Sequence, residues 1–402
     1  MAASTQYDVV VVGGGIAGSC LAGVLARGGL AVLLLERESA FRDRVRGELT
    51  WPWGVAEARR AGLEIVQQLV GAVPLRSLTP YEGGVVADSD WTVSAEDTPG
   101  LGFLHPRFQE VAFTWAAAQG VETIRPAKAV GFARNGRPSV RVVQEGSETE
   151  YRARLVVAAD GKLSAARRWT GGETVADQEH HRFGGVLVAN GRVERGAVNY
   201  AWNPGEMVIW FAAGSDHTRL YVTMQADQLR EAGVDRSFDA LIGFAAERLP
   251  AGALANAEQA GPIGFFSNSC IWASELVGNG VVLVGDAAGA PDPSQGHGTS
   301  LVFWDVRQLS ELLLESTNWD GAIREFAERR QRVYNVIRTI DHWWHIFFDT
   351  SVEATQRLEG HLRAREHDPT IGGLARVEIN GPAELVADEA ARRRWFGEDL
   401  LP

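Results

Sequence analysis

Three glycines near the N-terminus have the spacing of a turn that binds a nucleotide pyrophosphate. Gly13, Gly15 and Gly18 follow a run of four valines. In this pattern the first glycine permits a tight turn, the second lets the backbone approach a pyrophosphate, and the third lets a helix pack closely against a strand. Glu36 lies 18 residues after Gly18, where a carboxylate can accept hydrogen bonds from ribose hydroxyls. The pattern therefore predicts dinucleotide binding, with an unphosphorylated ribose as in FAD or NAD.

A second glycine-rich element follows roughly 270 residues later, and it favours the longer cofactor. Asp286 comes just after the apolar run Val281–Val284, where its carboxylate can accept a hydrogen bond from a ribityl hydroxyl. The backbone N–H groups of Gly296, His297 and Gly298 begin the next predicted helix, and they can stabilise negative charge on the pyrimidine edge of a reduced flavin. An NAD domain would complete its site within the N-terminal sheet, so FAD explains this late return of the chain.

Three arginines at alternate positions could add to the phosphate site. Arg42, Arg44 and Arg46 share one side of the chain if the segment is extended. Guanidinium groups bind phosphates in a bidentate manner, which favours a cofactor role, and most strongly for Arg46. The alternative is a charged loop in solvent.

The residues around the motifs predict the elements that position them. Val9–Val12 is apolar on both faces, as in a central parallel strand, and Ile16–Arg27 has helical spacing. Ala31–Leu35 is a second apolar strand. Thr299 or Ser300 can cap the helix that follows the second glycine-rich element, residues 285–298, which is called the second loop below. The N-terminal half is thus α/β in class.

Residues 183–224 carry several β-type runs separated by Gly, Asn and Pro, which predicts an antiparallel sheet. Strand alternation turns about half of its aromatic side chains toward the cofactor. Large aromatic walls favour a bulky, flat, apolar substrate such as a phenol, an indole or a polycyclic natural-product intermediate. The candidate substrate-binding residues are Trp202, Trp210, Phe211, Tyr221, Phe265 and Phe266.

Three segments together resemble a known family. They are Gly13-Gly14-Gly15-Ile16-Ala17-Gly18, Asp160-Gly161, and Gly285-Asp286 with Pro293, Gly296 and Gly298. This combination is similar to the motifs of the single-component FAD-dependent aromatic monooxygenases, the para-hydroxybenzoate hydroxylase-like group A. The resemblance covers residues 7 to about 330. The histidine that many members carry after the Gly-Asp pair is replaced by Gly289, and His297 stands where glutamine is common.

The resemblance implies a Rossmann-like FAD-binding domain of the glutathione-reductase type, with an inserted antiparallel-sheet substrate domain and C-terminal helices. The expected segments are 1–73, 99–178 and 273–330 for FAD, 74–98 and 179–272 for substrate, and 331–402 for the helical extension. It also implies reduction by NADH or NADPH and a C4a-hydroperoxyflavin that hydroxylates an electron-rich ring. Epoxidation or oxidative rearrangement would use the same intermediate.

The resemblance also assigns roles to residues. Arg46 corresponds to an arginine near the FAD and NAD(P)H phosphates, Arg107 to a pyrophosphate contact, and Val130 to a backbone contact with adenine. Asp160 matches an acid that serves both FAD and NAD(P)H. The cofactor-binding candidates are Gly13, Gly15, Ile16, Ala17, Gly18, Glu36, Arg37, Arg46, Arg107, Val130, Asp160, Asp286, Pro293, Gly296, His297 and Gly298. Arg46 and His297 are also the catalytic candidates.

Two other flavin activities share these motifs. A halogenase needs a lysine between flavin and substrate and a Trp-x-Trp-x-Ile-Pro segment. Lys128 and Lys162 are the only lysines, and Trp51-Pro52-Trp53 continues with Gly54-Val55 instead of Ile-Pro. A flavin dehydrogenase or reductase that never activates oxygen remains the main alternative.

A single long helix is expected from Asp320 to about Phe348. Its aromatic end, Trp343–Phe348, could be core, a wall of the substrate cavity, or a surface patch. Four histidines occur in this region, but no carboxylate completes a convincing ligand set, so no metal is expected. These histidines are His342, His345, His361 and His367.

Composition excludes several other classes. The 402 residues carry a formal net charge of −12, which argues against a nucleic-acid-binding protein. The only cysteines are Cys20 and Cys270, which leaves no disulfide framework and no cysteine-based zinc site. Neither a secretory signal nor an apolar run long enough to span a bilayer is visible, so a cytoplasmic location is expected. The expected partners are a small aromatic substrate and O2, in a monomer or homodimer.

Overall fold

The computed structural model describes residues 6–45, 47–82, 84–86, 91–368, 371, 374–383 and 385–400. The strands in the described residues are β1 Gln6–Val12, β2 Val32–Leu35, β3 Leu49–Thr50, β4 Val73–Leu75, β5 Ser77–Glu82, β6 Val85–Val86, β7 Trp91–Thr92, β8 Gly100–Gly102, β9 Glu122–Ile124, β10 Lys128–Asn135, β11 Arg137–Gln144, β12 Ser147–Ala158, β13 Thr174–Ala176, β14 Arg182–Ala189, β15 Ala197–Asn203, β16 Glu206–Ala212, β17 His217–Met224, β18 Glu258–Gln259, β19 Gly264–Ser267, β20 Ile271–Ala273, β21 Val277–Gly278, β22 Val281–Leu283 and β23 Gly289–Ala290.

The α-helices in the same residues are α1 Ile16–Arg27, α2 Pro52–Arg60, α3 Glu64–Val70, α4 His105–Ala118, α5 Ala226–Ala232, α6 Phe238–Ala246, α7 Gly298–Glu315, α8 Trp319–Trp343, α9 Val352–His367, α10 Leu374–Asn380 and α11 Glu389–Trp395. Short 3₁₀ helices cover Ala166–Thr170, Gly285–Ala287, Pro293–Gln295, Trp344–Phe347 and Glu398–Leu400. Over this part of the chain, no helix combines the length and the apolar character needed to cross a membrane.

The first sheet has a parallel centre in the order β9-β2-β1-β12-β22. Val10 pairs with Val156, and Val157 pairs with Val282, and all four side chains are fully buried. Apolar residues on both faces of these strands are typical of a parallel sheet covered by helices. The strand order therefore places the first glycine turn, after β1, and the late Gly-Asp segment, after β22, on either side of the end of β12, which Asp160-Gly161 follows.

The second sheet has nine strands, with the path β18-β14-β17-β16-β15-β5-β6 and with β19 and β7 at its sides. The pairs among β14 to β17 are antiparallel, which confirms the antiparallel sheet predicted over residues 183–224. Strand β5 joins β15 in parallel. One face packs on α5 and α6 through residues such as Leu229 and Leu241. The other face, with Phe211 and Tyr221, is turned toward the first sheet.

Local predictions have mixed outcomes. Helix α1 has the predicted bounds, and β10 and β11 form the hairpin predicted at Asn135-Gly136. The expected cap on α7 is wrong: the helix begins at Gly298 with His297 as its N-cap. The Ser300 hydroxyl instead accepts a hydrogen bond from the backbone N–H of Trp51 at 3.0 Å.

The single helix expected to reach Phe348 is also wrong, because α8 ends at Trp343 and a 3₁₀ turn follows. This turn redirects the chain so that Phe347 reaches the second sheet. The indole N–H of Trp202 donates to the carbonyl of Phe347 at 3.1 Å, and the two rings meet edge to face.

Candidate functional site

A cavity of about 970 Å³ lies between the two sheets and the C-terminal segment. Its nucleotide end is formed by the turn after β1, the loop after β2 and the second glycine-rich loop. Its far end is formed by β15 to β17 and by the residues after α8. The fold thus brings together motifs that lie far apart in the sequence.

The turn after β1 is built to hold a phosphate group close to its backbone. Gly13 has a positive φ of 107°, and a Cβ on Gly18 would lie 1.9 Å from the Gly13 carbonyl oxygen. A Cβ on Gly15 would meet only the Gln109 side chain, at 3.6 Å, so this position is open toward the cavity. Glu36 is buried beside the turn and accepts a hydrogen bond from the Gly14 backbone N–H at 2.7 Å. These are the properties that a pyrophosphate and an adenosine ribose require.

The Asp160-Gly161 segment and the second loop are joined by a buried arginine that the sequence analysis missed. Arg167 donates to the backbone carbonyls of Asp286 at 2.8 Å and Ala287 at 2.9 Å. Asp160 accepts from the backbone N–H of Ala165 at 2.9 Å and so fixes the turn that carries Arg167. Both aspartates line the cavity. No spacing signal marks Arg167 among the many arginines of the chain.

A buried ion pair, Asp305 with Arg330, also fixes this loop. Asp305 accepts from the Gly285 backbone N–H at 2.7 Å and from Arg330 at 2.7 Å. Arg330 also donates to the Gly289 carbonyl at 3.0 Å. Burial raises the pKa of Asp305 to about 6, with Arg330 opposing that shift. Because both side chains are fully buried, removing one would leave the other without compensation.

The second loop presents Pro293, Gly296 and Gly298 to the cavity, in agreement with their predicted positions. His297 does not line the cavity, which argues against the catalytic role expected for it. Its side chain is buried, and burial lowers its pKa to about 4, so the imidazole is neutral at pH 7. Its backbone N–H remains at the start of α7.

Two other cofactor candidates lie away from the cavity. Arg107 donates to the Val70 carbonyl at 2.8 Å, and α4 presents His105 and Gln109 to the cavity instead. Val130 is exposed and is not among the lining residues, which come from residues 127–129 at this point of the chain; its backbone contact with adenine stays a prediction. For Arg107 the prediction chose the correct helix but a residue whose side chain does not reach the cavity.

Most of the other residues predicted to bind the cofactor line the nucleotide end of the cavity. Ile16, Ala17 and Arg37 line the cavity together with Gly13, Gly15 and Glu36, whereas Gly18 packs against the turn. Arg42 and Arg44 also line it. Arg46 lies outside the described residues.

The aromatic candidates of the second sheet divide by face. Trp202, Phe211, Tyr221 and Phe266 line the cavity. Trp210 and Phe265 point to the opposite face, where they pack with α5 and α6, so their assignment to the substrate site is corrected. The reason is the alternation of side chains along a strand, which separates the neighbours Trp210 and Phe211, and Phe265 and Phe266.

The C-terminal segment supplies the rest of this wall. Trp344, Phe347 and Phe348 line the cavity. Trp344 and Phe347 also pack in the core of the extension, and Phe348 is fully buried. Two of the interpretations considered for this aromatic run, core and cavity wall, therefore both apply.

A buried polar cluster interrupts the aromatic wall. Tyr221 donates to Glu48 at 2.6 Å, and Arg219 forms an ion pair with the same carboxylate and donates to Asp43 at 2.9 Å. Burial raises the pKa of Glu48, and Arg219 and Tyr221 oppose that rise. Glu48 lines the cavity, and the sequence analysis did not single it out.

The chain matches the family described as FAD binding domain over residues 6–335. It belongs to this family. The glycine turn, the open position at Gly15 and the second loop fit FAD, so this chain is an FAD-dependent oxidoreductase.

Three similar proteins show the range of activities on this scaffold. The FAD-binding chain is 27% identical to digeranylgeranylglycerophospholipid reductase 1 of Methanococcoides burtonii, over 81% of this chain and 79% of that protein. It is 26% identical to squalene monooxygenase of Mus musculus, over 83% of this chain and 60% of that protein. The flavin-dependent brominase Bmp2 has the same fold, with a TM-score of 0.75, 17% identity and coverage of 98% and 100% of the two chains. Similarity alone does not choose among reduction, oxygenation and halogenation.

Proposed function

We propose that this enzyme uses NADH or NADPH and O2 to insert an oxygen atom into a bulky aromatic or polycyclic substrate. The observation that carries the proposal is the aromatic wall at the far end of the FAD cavity, which is made by the second sheet and the C-terminal segment together. Aromatic and aliphatic surfaces of this kind bind flat apolar molecules and exclude water. Hydroxylation and epoxidation are both consistent with such a site.

Each part of the nucleotide end has a role in this proposal. The backbone of the first glycine turn holds the pyrophosphate, Glu36 binds the ribose, and Asp286 accepts from the ribityl chain. The N-terminal end of α7, at Gly298, faces the pyrimidine edge and stabilises negative charge there. Bound FAD supplies the redox and oxygen chemistry, while the protein positions it.

The approach of the nicotinamide is proposed to use charged residues at the cavity mouth. Asp160 and Arg37 line the cavity there. Arg46 keeps its proposed role beside the FAD and NAD(P)H phosphates. A cationic and hydrogen-bonding rim of this type would orient a nicotinamide nucleotide without closing the apolar end.

The test is a coupled measurement of flavin, NAD(P)H and oxygen. Purified protein should be yellow, and its oxidation of NADH or NADPH should accelerate with some members of a panel of indoles, phenols and polycycles. The product should contain one added oxygen atom that comes from isotopically labelled O2. Asp286→Ala should lower the FAD content, with Asp320→Ala, on the surface start of α8, as the matched control. A protein without flavin, or turnover without oxygen uptake, would contradict the proposal.

Reduction of a double bond is the second candidate, because of the similarity to the reductase of Methanococcoides burtonii. It predicts anaerobic turnover of an isoprenoid substrate with no oxygen in the product. Halogenation is favoured only by the fold shared with the brominase and by Lys128 and Lys162, which both line the cavity. Adding bromide to the same assay distinguishes it, because the product would then contain bromine.

A further inference from the structure

A row of polar side chains connects the protein surface with the cavity wall at the second loop. Asp349 and His180 Nε2 are 3.8 Å apart. His180 Nδ1 and His181 Nδ1 are 3.1 Å apart, and His181 Nε2 lies 3.2 Å from the hydroxyl of Ser294. Ser294 directly follows Pro293, and both line the cavity.

The exposure of these groups falls steadily along the row. The side chains of Asp349 and His180 are 31% and 22% exposed, whereas His181 is fully buried. His181 packs against the ring of Phe348, another residue of the cavity wall, at 4.4 Å. The row therefore leads from water to the cavity through a closed part of the protein.

The hydrogen bonds of the row have one consistent direction. The Ser294 hydroxyl donates to Asp292 at 2.6 Å, so it accepts from His181 Nε2–H. A neutral His181 protonated at Nε2 has a free lone pair at Nδ1, which accepts from His180 Nδ1–H. His181 thus receives a hydrogen bond at Nδ1 and donates through Nε2, whereas His180 donates through Nδ1 and keeps its Nε2 lone pair on the side of the partly exposed Asp349. Both rings can therefore take up a proton on one nitrogen and release one from the other.

We propose that His180 and His181 form a proton relay between solvent and Ser294 at the flavin cavity. A proton that arrives at His180 Nε2 releases the Nδ1 proton to His181 Nδ1. His181 then releases its Nε2 proton to Ser294, whose hydroxyl turns from Asp292 toward the cavity and passes its own proton to a basic oxygen atom of the substrate. One proton enters and one leaves, no electrons move, and the reverse passage restores the first tautomers. The proposal rests on the proposed function, since oxygen insertion with NAD(P)H exchanges protons with the flavin site.

The groups around His180 disfavour a stable imidazolium, so a proton that reaches this ring is passed on. Burial, reinforced by His345 and His181, lowers the pKa of His180 to about 4, so no stable imidazolium forms near pH 7. The His345 ring stacks on His180 at 4.3 Å. Other titratable or charged groups packed around the row are Asp292, Asp341, Asp177, His342, Arg338 and Cys270.

A metal ion is the competing interpretation of this cluster. His180, His181 and His345 place nitrogen atoms within 4.8 Å of one another. However, one of the three imidazoles is already engaged: His345 Nε2 lies 3.3 Å from the Asn268 amide nitrogen, which also donates to Asp292 at 2.8 Å. The cluster is thus already connected by hydrogen bonds, which favours the relay.

The first test is spectroscopic and does not depend on turnover. In FAD-loaded protein with ¹⁵N-labelled histidine, His181 should be neutral and protonated at Nε2, with a hydrogen bond between the two Nδ1 atoms. A doubly protonated His181, or an Nδ1-protonated ring, would overturn the relay. Bound zinc that is lost in His181→Gln would also overturn it, in favour of the metal.

The second test uses three variants of the holoenzyme. His180→Gln and His181→Gln should keep their FAD and slow the proton-dependent steps by ~100-fold, the range of general acid–base effects. Added imidazole should restore part of the rate. His342→Gln, a neighbour outside the row, should retain the wild-type rate and solvent isotope effect. Unchanged rates in both relay variants would refute the relay, whereas no oxygen uptake in wild type with correct tautomers would refute the proposed function alone.

Discussion

The two ends of the cavity differ in the groups that line them, which are mostly backbone at one end and side chains at the other. The nucleotide end presents mostly backbone: the turn at Gly13 and Gly15, and the loop that Arg167 and Arg330 hold by their carbonyls. The substrate end presents side chains such as Phe211 from the second sheet. A backbone site suits a constant ligand, because few substitutions change its donors, whereas a side-chain wall can be reshaped residue by residue. The contrast fits the range of activities among the similar proteins, which include a reductase, a monooxygenase and, on the same fold, a brominase.

The largest loss of bound FAD is expected from a substitution in the glycine turn, at the nucleotide end of the cavity. Gly18→Ala places a Cβ 1.9 Å from the Gly13 carbonyl and must shift the turn. The FAD content per chain should fall by at least ~10-fold, since a loss of ~1.4 kcal/mol in binding already has that effect. Gly243→Ala, on α6 with no atom within 4 Å of the added Cβ, is the control and should keep its FAD. A yellow Gly18→Ala protein would contradict the assignment of the turn.

A pair of tryptophans tests the faces of the second sheet. Trp210→Ala removes a side chain that is 1% exposed and should cost about 3–5 kcal/mol in the free energy of unfolding. Trp202→Ala, on the cavity face, loses a hydrogen bond to Phe347 worth ~1 kcal/mol, but it should raise KM for the substrate. Urea unfolding and steady-state kinetics measure both. An unaltered KM in the Trp202 variant, or a changed one in a folded Trp210 variant, would reverse the two faces.

Acid should lower the free energy of unfolding, because two histidines are buried and neutral in the folded protein. Burial lowers the pKa of His297, in the second loop, and of His361, in the extension, to about 4. Between pH 6.5 and about 4 the unfolded chain binds protons that the folded chain does not, so stability falls as the pH falls. Each histidine contributes up to ~1.4 kcal/mol per pH unit to that slope. Urea unfolding of His297→Gln and His361→Gln at pH 7 and pH 5 should show a weaker pH dependence in each; an unchanged slope would place the titration elsewhere.

The smallest effect is expected at Arg107, whose guanidinium binds the Val70 carbonyl outside the cavity. Arg107→Gln should keep full FAD content and lose about 1 kcal/mol of stability at most. Arg167→Gln is the matched comparison and should release FAD, because it loosens the second loop. Absorbance of bound flavin decides between them. FAD loss in the Arg107 variant would return this residue to the pyrophosphate site.

The sequence predicted what local chemistry determines. Helix α1 and the turn before it follow from the spacing of apolar residues and glycines, and their bounds are correct. The hairpin at Asn135-Gly136 follows from turn chemistry in the same way. The late strand β22 was recognised because a buried strand and an acid at its end form a short, complete pattern.

Two kinds of feature could not be predicted from the sequence. One is the face of a strand or helix on which a residue lies, and the other is a contact between residues far apart in the chain. Trp210 and Phe211 are neighbours, so a strand that starts one residue earlier exchanges their faces. Arg107 and Gln109 differ by less than one helical turn, and only the docking of α4 decides which reaches the cavity. The pairs Asp305–Arg330 and Glu48–Arg219 join residues far apart in sequence, and no spacing rule connects them.

The joint between sheet and extension has a consequence for how this enzyme family diversifies. Trp202 and the backbone N–H of Gly205 both bind the carbonyl of Phe347, a group that every amino acid carries. The anchor is therefore independent of the side chain at position 347, which points into the cavity. A substitution at position 347 can therefore reshape the cavity without removing this backbone anchor, at the cost of the ring contacts that Phe347 makes with Trp202 and Trp344.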